Sequence, residues 1–233
     1  MINPCTIARS AAVAAILALT PTAQAAEITF KKTECEIAKA GSGCGLIFII
    51  GDIVLGDEKQ FIKVLSDNKV VEAAVVMHSA GGSVPAGLAI GRKIHEMEFT
   101  TAVPKDWACM SICAAMWLAG SRRFANTHSA IGFHQVFFQD AHGRKSFSST
   151  GNALIGAYYA QLGLSDDAIV YLTTAMPDGI TWLKFGKARQ LGINVEAVDD
   201  TGRPVAEQKV AKPLPYITMP PTVTAPMLSP SMN

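Results

Sequence analysis

Short apolar strands alternate with amphipathic helices along this chain, and no other feature limits its possible folds as strongly. The β-branched runs CGLIFIIGDIV (residues 44–54) and VEAAVVMHS (71–79) are typical of buried strands. Each is followed by apolar residues at helical spacing, in DEKQFIKVLSDN (57–68) and VPAGLAIGRKIHEM (84–97). Repeated strand–helix units with buried strands predict an α/β fold with a mostly parallel sheet.

The same alternation continues to residue 198 and predicts the remaining elements. They are the strand FTTAVP (99–104), the helix SICAAMWLAG (111–120), the strand SAIGFHQVF (129–137), the polar insert QDAHGRKSFSST (139–150), two helices around ALIGAYYAQLG (153–163) and DDAIVYLTTA (166–175), the helix WLKFGKARQLG (182–192) and the strand INVEAV (193–198). We also expect Asp57 to cap the first helix, and Arg122 and Arg123 to lie in a solvated turn.

Composition excludes several classes of protein. The 233 residues carry 20 Lys and Arg against 19 Asp and Glu, and a net charge of +1 does not fit the clustered cations of a nucleic-acid-binding surface. With 49% hydrophobic and 17% charged residues, the chain is not a long disordered polymer. It is also not a multi-span membrane protein, because no apolar run beyond the N-terminus is long enough to span a bilayer.

The N-terminus has the three parts of a secretory signal peptide. Arg9 is followed by an apolar run from Ala11 to Leu19, then by Pro21, and then by Ala23-Gln24-Ala25, which places small residues where a signal peptidase reads them. An uncleaved anchor helix is the alternative, but a run of about ten residues is too short to span a bilayer. We therefore expect residues 1–25 to be removed on export.

Export sets the expected organisation of the mature protein. Cleavage would leave 208 residues in which 19 cationic residues balance 19 acidic ones, with no membrane span, in the periplasm or outside the cell. Residues 26–202 are expected to form one domain. Residues 203–233 hold seven of the 12 prolines and are expected to form a mostly disordered tail.

Four cysteines would remain after cleavage: Cys35, Cys44, Cys109 and Cys113. An even number in an exported protein predicts two disulfides. Closeness in sequence favours Cys35–Cys44 and Cys109–Cys113, although four cysteines allow three pairings. Residues four apart in a regular helix hold their Cβ atoms about 5–6 Å apart, whereas a disulfide needs about 3.5–4.5 Å. A Cys109–Cys113 bond therefore requires Cys109 to lie before the helix begins.

Three segments carry residues that could support chemistry. In HSAGGSVPAG (78–87) a buried strand ends in two glycines, whose amides could face an anion; a plain strand-to-helix turn is the alternative. Ser111 precedes an apolar helix, where it could be an exposed nucleophile; an ordinary N-cap serine is the alternative. His134 lies in a predicted apolar strand. It could act as a general base if a nucleophile is adjacent; otherwise it is a core residue.

Together these segments resemble the proteolytic subunit of the Clp protease and its crotonase-like relatives. HSAGGSVPAGLAIGRKI, CMSICAAMWLAGSRRFA and SAIGFHQ occur in the same order as in that family, with a spacing of 29 from Gly82 to Ser111. The upstream GDIVLGD and the downstream WLKFGKARQLGI extend the resemblance over roughly residues 45–198. Exported Clp-like proteins of bacteria are more similar still, since they carry cysteines two before and two after the serine, as Cys109 and Cys113 do here. The resemblance implies a ClpP/crotonase-like spiral of repeated ββα units with a mostly parallel sheet.

The resemblance also implies a catalytic site. Ser111 would be the nucleophile and His134 the general base, and the amides of Gly82 and Ile112 would form the oxyanion hole. In the family an Asp stands two residues before an aromatic residue that opens the last helix.

The third catalytic residue is displaced in this chain. Ile180 stands two residues before Trp182, and the nearest acid is Asp178. Asp178 is the expected third member, with Asp166 and Asp167 as further candidates.

The function implied is that of an exported serine endopeptidase that acts on peptides or unfolded proteins. No G-x-x-x-x-G-K-[ST] motif is present, so the chain would act without ATP by itself, and we expect no cofactor, no metal and no nucleic-acid partner. In the family, subunits assemble through the helix after the histidine strand, so a homo-oligomer is expected through the insert and GNALIGAYYAQLG (151–163).

Departures from the family pattern keep other functions open. Ala80 replaces a proline, Cys113 replaces a glycine and the acid at Asp178 is displaced, which favours a catalytically silent scaffold or binding module on the same fold. Acyl-CoA chemistry of the crotonase type is a third possibility, although export counts against it. A fourth makes Cys109 or Cys113 a nucleophile or metal ligand with His128 or His134.

Overall fold

The computed structural model describes residues 25–33, 43–140 and 142–205. The predicted signal peptide up to residue 24, Cys35 and residues 206–233 of the predicted tail lie outside the described residues. The described part holds eleven strands and six helices. They are β1 (Glu27–Lys32), β2 (Gly43–Ile50), α1 (Asp57–Asp67), β3 (Val70–His78), α2 (Val84–Glu96), β4 (Thr100–Val103), β5 (Ala108–Met110), α3 (Ile112–Leu118), β6 (Arg123–Asn126), β7 (Ala130–Phe133), β8 (Phe137–Gln139), β9 (Lys145–Phe147), α4 (Ser149–Gln161), α5 (Asp166–Leu172), β10 (Thr181–Trp182), α6 (Phe185–Gln190) and β11 (Glu196–Val198).

The main sheet has six strands in the order β1-β2-β3-β4-β6-β11. All neighbours are parallel except the edge pair β1 and β2, which is antiparallel. The central strands β2 and β3 are apolar along most of their length, and their side chains are mostly buried or half-buried, which is why their sequences read as nearly continuous apolar runs. The prediction of an α/β fold with a mostly parallel sheet is confirmed.

A second, smaller sheet carries the segments singled out for chemistry. It has the order β10-β7-β5, with β5 parallel to β7 and Met110 opposite Gly132. Single bridges link Ile53 to Gly82 and Ser79 to Cys109. The backbone that follows β3 therefore runs between β5 and the loop that joins β2 to α1. This arrangement brings the glycine pair beside the strand that leads to Ser111.

Helix α3 forms the centre of the core, and all seven of its residues are buried. The C-terminal end of α3 is fastened by Arg123, whose Nη1 donates hydrogen bonds of 3.0 Å to the carbonyls of Leu118 and Gly120 and whose Nε donates one of 2.9 Å to Asn194. Burial lowers the pKa of this guanidinium. Arg123 is thus a structural residue of β6, and the expectation of a solvated turn is wrong for it.

Other differences from the predicted elements have simple physical reasons. The strands β5, β6, β8, β9 and β10 have only two to four residues each, too few to show a period in sequence. Asp57 is not the cap of α1 but its first residue, and it is buried. His134 lies just past the end of β7 rather than inside a strand.

Candidate active site

Ser111 occupies the sharp turn between β5 and α3. Its φ of 58° and ψ of −126° place a non-glycine residue in a left-handed region, at a cost of about 1–3 kcal/mol. The Ser111 side chain makes no capping hydrogen bond to α3, and the structure gives it no other hydrogen-bond partner among the described residues. Ser111 thus stands at the N-cap position of α3, but its hydroxyl does not cap the helix and is left without a bond in the described structure.

A disulfide closes the turn around Ser111. Cys109 lies in β5 and Cys113 in α3, with their Cα atoms 5.2 Å apart. Cys109 therefore precedes the helix, as the spacing argument required, and the Cys109–Cys113 pairing is confirmed. Cys44 is also disulfide-bonded, while Cys35 lies outside the described residues. Because bonded cysteines carry no free thiol, Cys109 and Cys113 are neither nucleophiles nor metal ligands in this state.

The histidine ring is held by its own neighbour. The Nδ1 of His134 lies 2.7 Å from the carbonyl oxygen of Gln135, and since a carbonyl can only accept, Nδ1 carries the proton. The neutral ring then has its lone pair on Nε2, which is the form a general base needs. The ring also packs against Phe137, with 5.4 Å between the ring centroids.

The segment that carries His134 is fixed on both sides. The amide of Gln135 donates to the carbonyl of Ala175 at 2.9 Å. The side chain of Asn152 binds the backbone of Val136 twice, accepting from its amide at 2.9 Å and donating to its carbonyl at 3.1 Å. These contacts hold an irregular stretch of backbone in one conformation.

Ser111 and His134 follow the carboxyl ends of adjacent parallel strands. The amide of Ser111 donates a hydrogen bond of 2.9 Å to the carbonyl of Gly132, two residues before His134. The serine hydroxyl and the imidazole are not hydrogen-bonded to each other in the described structure. Catalytic hydrogen bonds are often long without substrate and tighten on binding, so this geometry does not oppose a nucleophile–base pair.

Gly82 has an unbonded amide, and it directly follows Gly81, which lies against Ser111. Ile53 binds the two residues that flank Gly82, because its amide donates to the carbonyl of Gly81 and its carbonyl accepts from the amide of Ser83, both at 2.7 Å. Ile53 is therefore bonded to the residues on either side of Gly82 and not to the Gly82 amide itself. No hydrogen bond of this amide exists among the described residues.

Ile112 supplies a second free amide. It is the first residue of α3, where an N–H has no acceptor within the helix. Like the Gly82 amide, it has no partner in the part of the chain that the structure describes. Gly81 fixes the distance between the two segments, since a Cβ at Gly81 would lie 2.6 Å from the Cβ of Ser111.

The three predicted acids are exposed at the protein surface. Asp178 is 87% exposed in its side chain, and its Oδ1 pairs with the Nζ of Lys145 at 3.1 Å. Asp166 and Asp167 are exposed in the first turn of α5. None of the three hydrogen-bonds to His134, whose Nδ1 is taken by the Gln135 carbonyl.

Sequence reasoning missed the backbone groups that hold the site. The carbonyls of Gly132 and Gln135 position Ser111 and His134, and any residue type could supply them, so no sequence signal exists. Asn152 was also missed, although an Asn within the first turns of a predicted helix is a recognisable candidate for a side-chain contact with backbone.

Two further histidines have structural partners. The Nδ1 of His78 accepts a hydrogen bond from the amide of Ala108 at 3.1 Å, and the Nδ1 of His128 lies 3.2 Å from Asp200. Among the described residues, no group of three or more His, Cys, Asp or Glu side chains could hold a metal ion. No helix of the described part is both long enough and apolar enough to cross a membrane.

Comparisons with known proteins agree on the fold. No family model matches the chain, and no curated protein sequence matches it. A solved structure of the membrane-bound stomatin-specific protease 1510-N, as a serine-to-alanine mutant, has a TM-score of 0.53 and 16% identity over 69% of this chain and 81% of that one. A lysine-to-alanine mutant of the same protease in complex with a substrate peptide has a TM-score of 0.54 and 16% identity over 69% and 77% of the two chains. The chain has the ClpP/crotonase-like fold.

Proposed function

We propose that this chain, on its ClpP/crotonase-like fold, is an exported serine endopeptidase that cleaves peptides or unfolded proteins with Ser111 as nucleophile and His134 as general base. One observation carries the proposal. The hydroxyl of Ser111 has no partner in a strained turn, and the turn lies beside two backbone amides, those of Gly82 and Ile112, that are equally unbonded. A strained nucleophile beside free N–H donors is the arrangement that acyl transfer needs.

The chemistry follows from these positions. As the Ser111 oxygen attacks the substrate carbonyl carbon, its proton passes to Nε2 of His134, and the amides of Gly82 and Ile112 bind the oxyanion. The imidazolium then gives its proton to the leaving amine, the C–N bond breaks, and an acyl-serine remains. Water repeats the sequence and frees the acid and the serine. Each oxyanion donor contributes about 3–4 kcal/mol in the transition state.

The partner of His134 is a backbone carbonyl rather than a carboxylate, which lowers the expected catalytic rate. The Gln135 oxygen fixes the tautomer of His134, as an Asp does in a triad, but it carries no net charge to stabilise the imidazolium. The proposed enzyme is therefore a Ser–His pair, slower than a full triad. Asp178 takes this role only if it leaves Lys145 when substrate binds.

Lys145 is the alternative base, because a lysine was mutated in the similar protease. Its Nζ donates to the carbonyl of Pro177 at 2.9 Å, pairs with Asp178 and lies 4.7 Å from the centre of the Phe137 ring. In the described structure this nitrogen contacts Pro177, Asp178 and Phe137, and it makes no hydrogen bond to Ser111. We therefore assign the base to His134 and treat Lys145 as the control.

The remaining parts of the proposal concern compartment and assembly. The signal-like N-terminus and the disulfide at the site support action in the periplasm or outside the cell, where disulfides persist and no ATP-driven partner is needed. Homo-oligomerisation is supported by exposed apolar side chains in the region of the insert and α4: Phe138, Phe147 and Leu154 are 67%, 55% and 48% exposed.

A catalytically silent binding module is the second candidate. Two observations favour it: Ser111 and His134 are not hydrogen-bonded to each other, and no carboxylate forms a hydrogen bond or ion pair with His134 in the described structure. Such a module would hold extended peptides along the same free amides without cleaving them.

Hydrolysis of a fluorescently labelled unfolded protein without ATP tests the proposal. The wild type should cleave it, S111A and H134A should each lose at least about 100-fold in rate, and K145A should stay within a few-fold of wild type. Binding of the substrate by wild type without cleavage would favour the silent module. Loss of activity in K145A with retention in H134A would reassign the base.

A further inference from the structure

Asp57 is a buried carboxylate without a cationic partner. It is 2% exposed at the start of α1. Its Oδ2 accepts hydrogen bonds from the amides of Val54 at 2.8 Å and Ala26 at 3.4 Å. Among the described residues, no Lys, Arg or His side chain forms an ion pair with it. A carboxylate this enclosed is costly unless a positive charge faces it.

Signal-peptide cleavage on export would turn the Ala26 nitrogen into a positively charged α-ammonium. Ala26 is 3% exposed and follows Ala23-Gln24-Ala25, where cleavage is expected. Hydrolysis of the Ala25–Ala26 bond adds one water: Ala25 leaves with a carboxylate, and Ala26 keeps an amine. An α-amine is largely protonated at neutral pH, so the nitrogen that now donates as an amide would become an ammonium.

We propose that processing after Ala25 creates an α-ammonium on Ala26 that pairs with the buried Asp57 carboxylate and locks the mature N-terminus beside Ile53 and Val54, the backbone that holds the Gly82 segment. This inference rests on the export part of the proposed function. It assigns Asp57 a positioning role and makes the site of cleavage a requirement for stability.

A short path of backbone contacts joins this pair to the site. Asp57 binds the amide of Val54, which follows Ile53 directly. Ile53 in turn binds the two residues around Gly82, through the Gly81 carbonyl and the Ser83 amide. Displacing the N-terminus would therefore loosen the backbone that aims the Gly82 amide.

The test moves the ammonium without changing the folded residues. Inserting Gly-Ser between Ala25 and Ala26 of the full chain leaves two extra residues after processing and returns the Ala26 nitrogen to an amide. N-terminal sequencing of the exported protein should find Ala26 first in wild type. Wild type should melt roughly 5–10 °C above the insertion variant, because breaking a buried pair is strongly destabilising. In the D57N background the same insertion should shift the melting temperature by less than about 2 °C.

Amine chemistry gives a second readout if D57N does not fold. Cyanate should carbamylate the α-amine of wild type at least about ten-fold more slowly than that of the insertion variant, because a buried ammonium is shielded. A wild-type N-terminus other than Ala26, equal melting of wild type and insertion variant, a shift that persists in D57N, or equal carbamylation would each overturn the inference. None of these measurements needs peptidase activity, so the inference can fail or stand separately from the catalytic proposal.

Discussion

The amide nitrogen of Ser111 donates a 2.9 Å hydrogen bond to the carbonyl oxygen of Gly132, which fastens the turn of the candidate nucleophile to the strand that ends just before His134. This contact uses backbone atoms alone. The two catalytic candidates, 23 residues apart in sequence, are therefore positioned by the register of two short parallel strands. Changes that shift this register or the Ser111 turn should impair the site more than changes of exposed side chains nearby.

Gly81 is expected to be essential for the position of Ser111. In G81A the new Cβ would lie 2.6 Å from the Ser111 Cβ, and the backbone at φ 110° disfavours any side chain. We expect labelling of the serine by a fluorophosphonate to slow at least about ten-fold.

The matched control for G81A is G186A. Gly186 lies in α6 with open space around its missing Cβ. An alanine there should raise stability by about 0.5–1 kcal/mol and leave labelling unchanged. Equal labelling of G81A and wild type would mean that the two segments are not in contact.

The Cys109–Cys113 bond should stabilise the turn as well as the domain. Replacing both cysteines by alanine removes the constraint on a very short loop, which is worth about 2 kcal/mol. We expect the melting temperature to fall by roughly 4–8 °C in thermal unfolding, with slower labelling of Ser111. Unchanged melting would show that packing alone holds the turn.

Arg123 and Arg122 make a matched pair of neighbouring cations. Arg123 donates to three backbone carbonyls, two of them at the end of α3, so R123A should cost about 2–3 kcal/mol by leaving them unpaired. Arg122 pairs with Glu196 in a largely exposed setting, and R122A should cost at most about 1 kcal/mol. Urea unfolding of both variants checks this order, and a larger loss in R122A would contradict it.

Asp200 should contribute to stability in a pH-dependent way. Its hydrogen bond from Lys105 and, to a smaller extent, its contact with His128 hold the pKa of this carboxyl below its usual value. A depressed folded-state pKa stabilises the protein above the unfolded-state pKa, and this stabilisation is lost as the pH falls through the folded-state value. In an NMR titration, K105A should raise the pKa of Asp200 toward its ordinary value. K63A, which removes the partner of Asp67 instead, should leave it in place.

Elements with long sequence patterns could be predicted more accurately than short ones. The βα alternation predicted β3, α1 and α2 to within one residue at each end, because buried parallel strands and amphipathic helices have long, distinct patterns. It also predicted β2, but the strand ends at Ile50, four residues before the predicted end. Strands of two to four residues such as β5 and β7 owe their existence to neighbours in the sheet and are hard to bound from local sequence.

The side chains of the candidate site could be predicted from the sequence, but the backbone groups that position them could not. Ser111, His134 and Gly82 could be singled out by residue type and order. The carbonyl of Gln135 as the partner of His134 could not, because a peptide oxygen leaves no mark in sequence. The expectation of an acid near Trp182 came from the family pattern, and in this chain Asp178 is turned toward Lys145 instead.

The most direct measurement is the mass of a covalent adduct. Exported wild-type protein is treated with a fluorophosphonate, digested and mapped by mass spectrometry, with S111A and H134A treated in parallel. We expect one adduct per chain, on Ser111, absent from S111A and formed at least about 100-fold more slowly in H134A. An unlabelled wild type, or an adduct on another residue, would contradict a serine nucleophile at this turn.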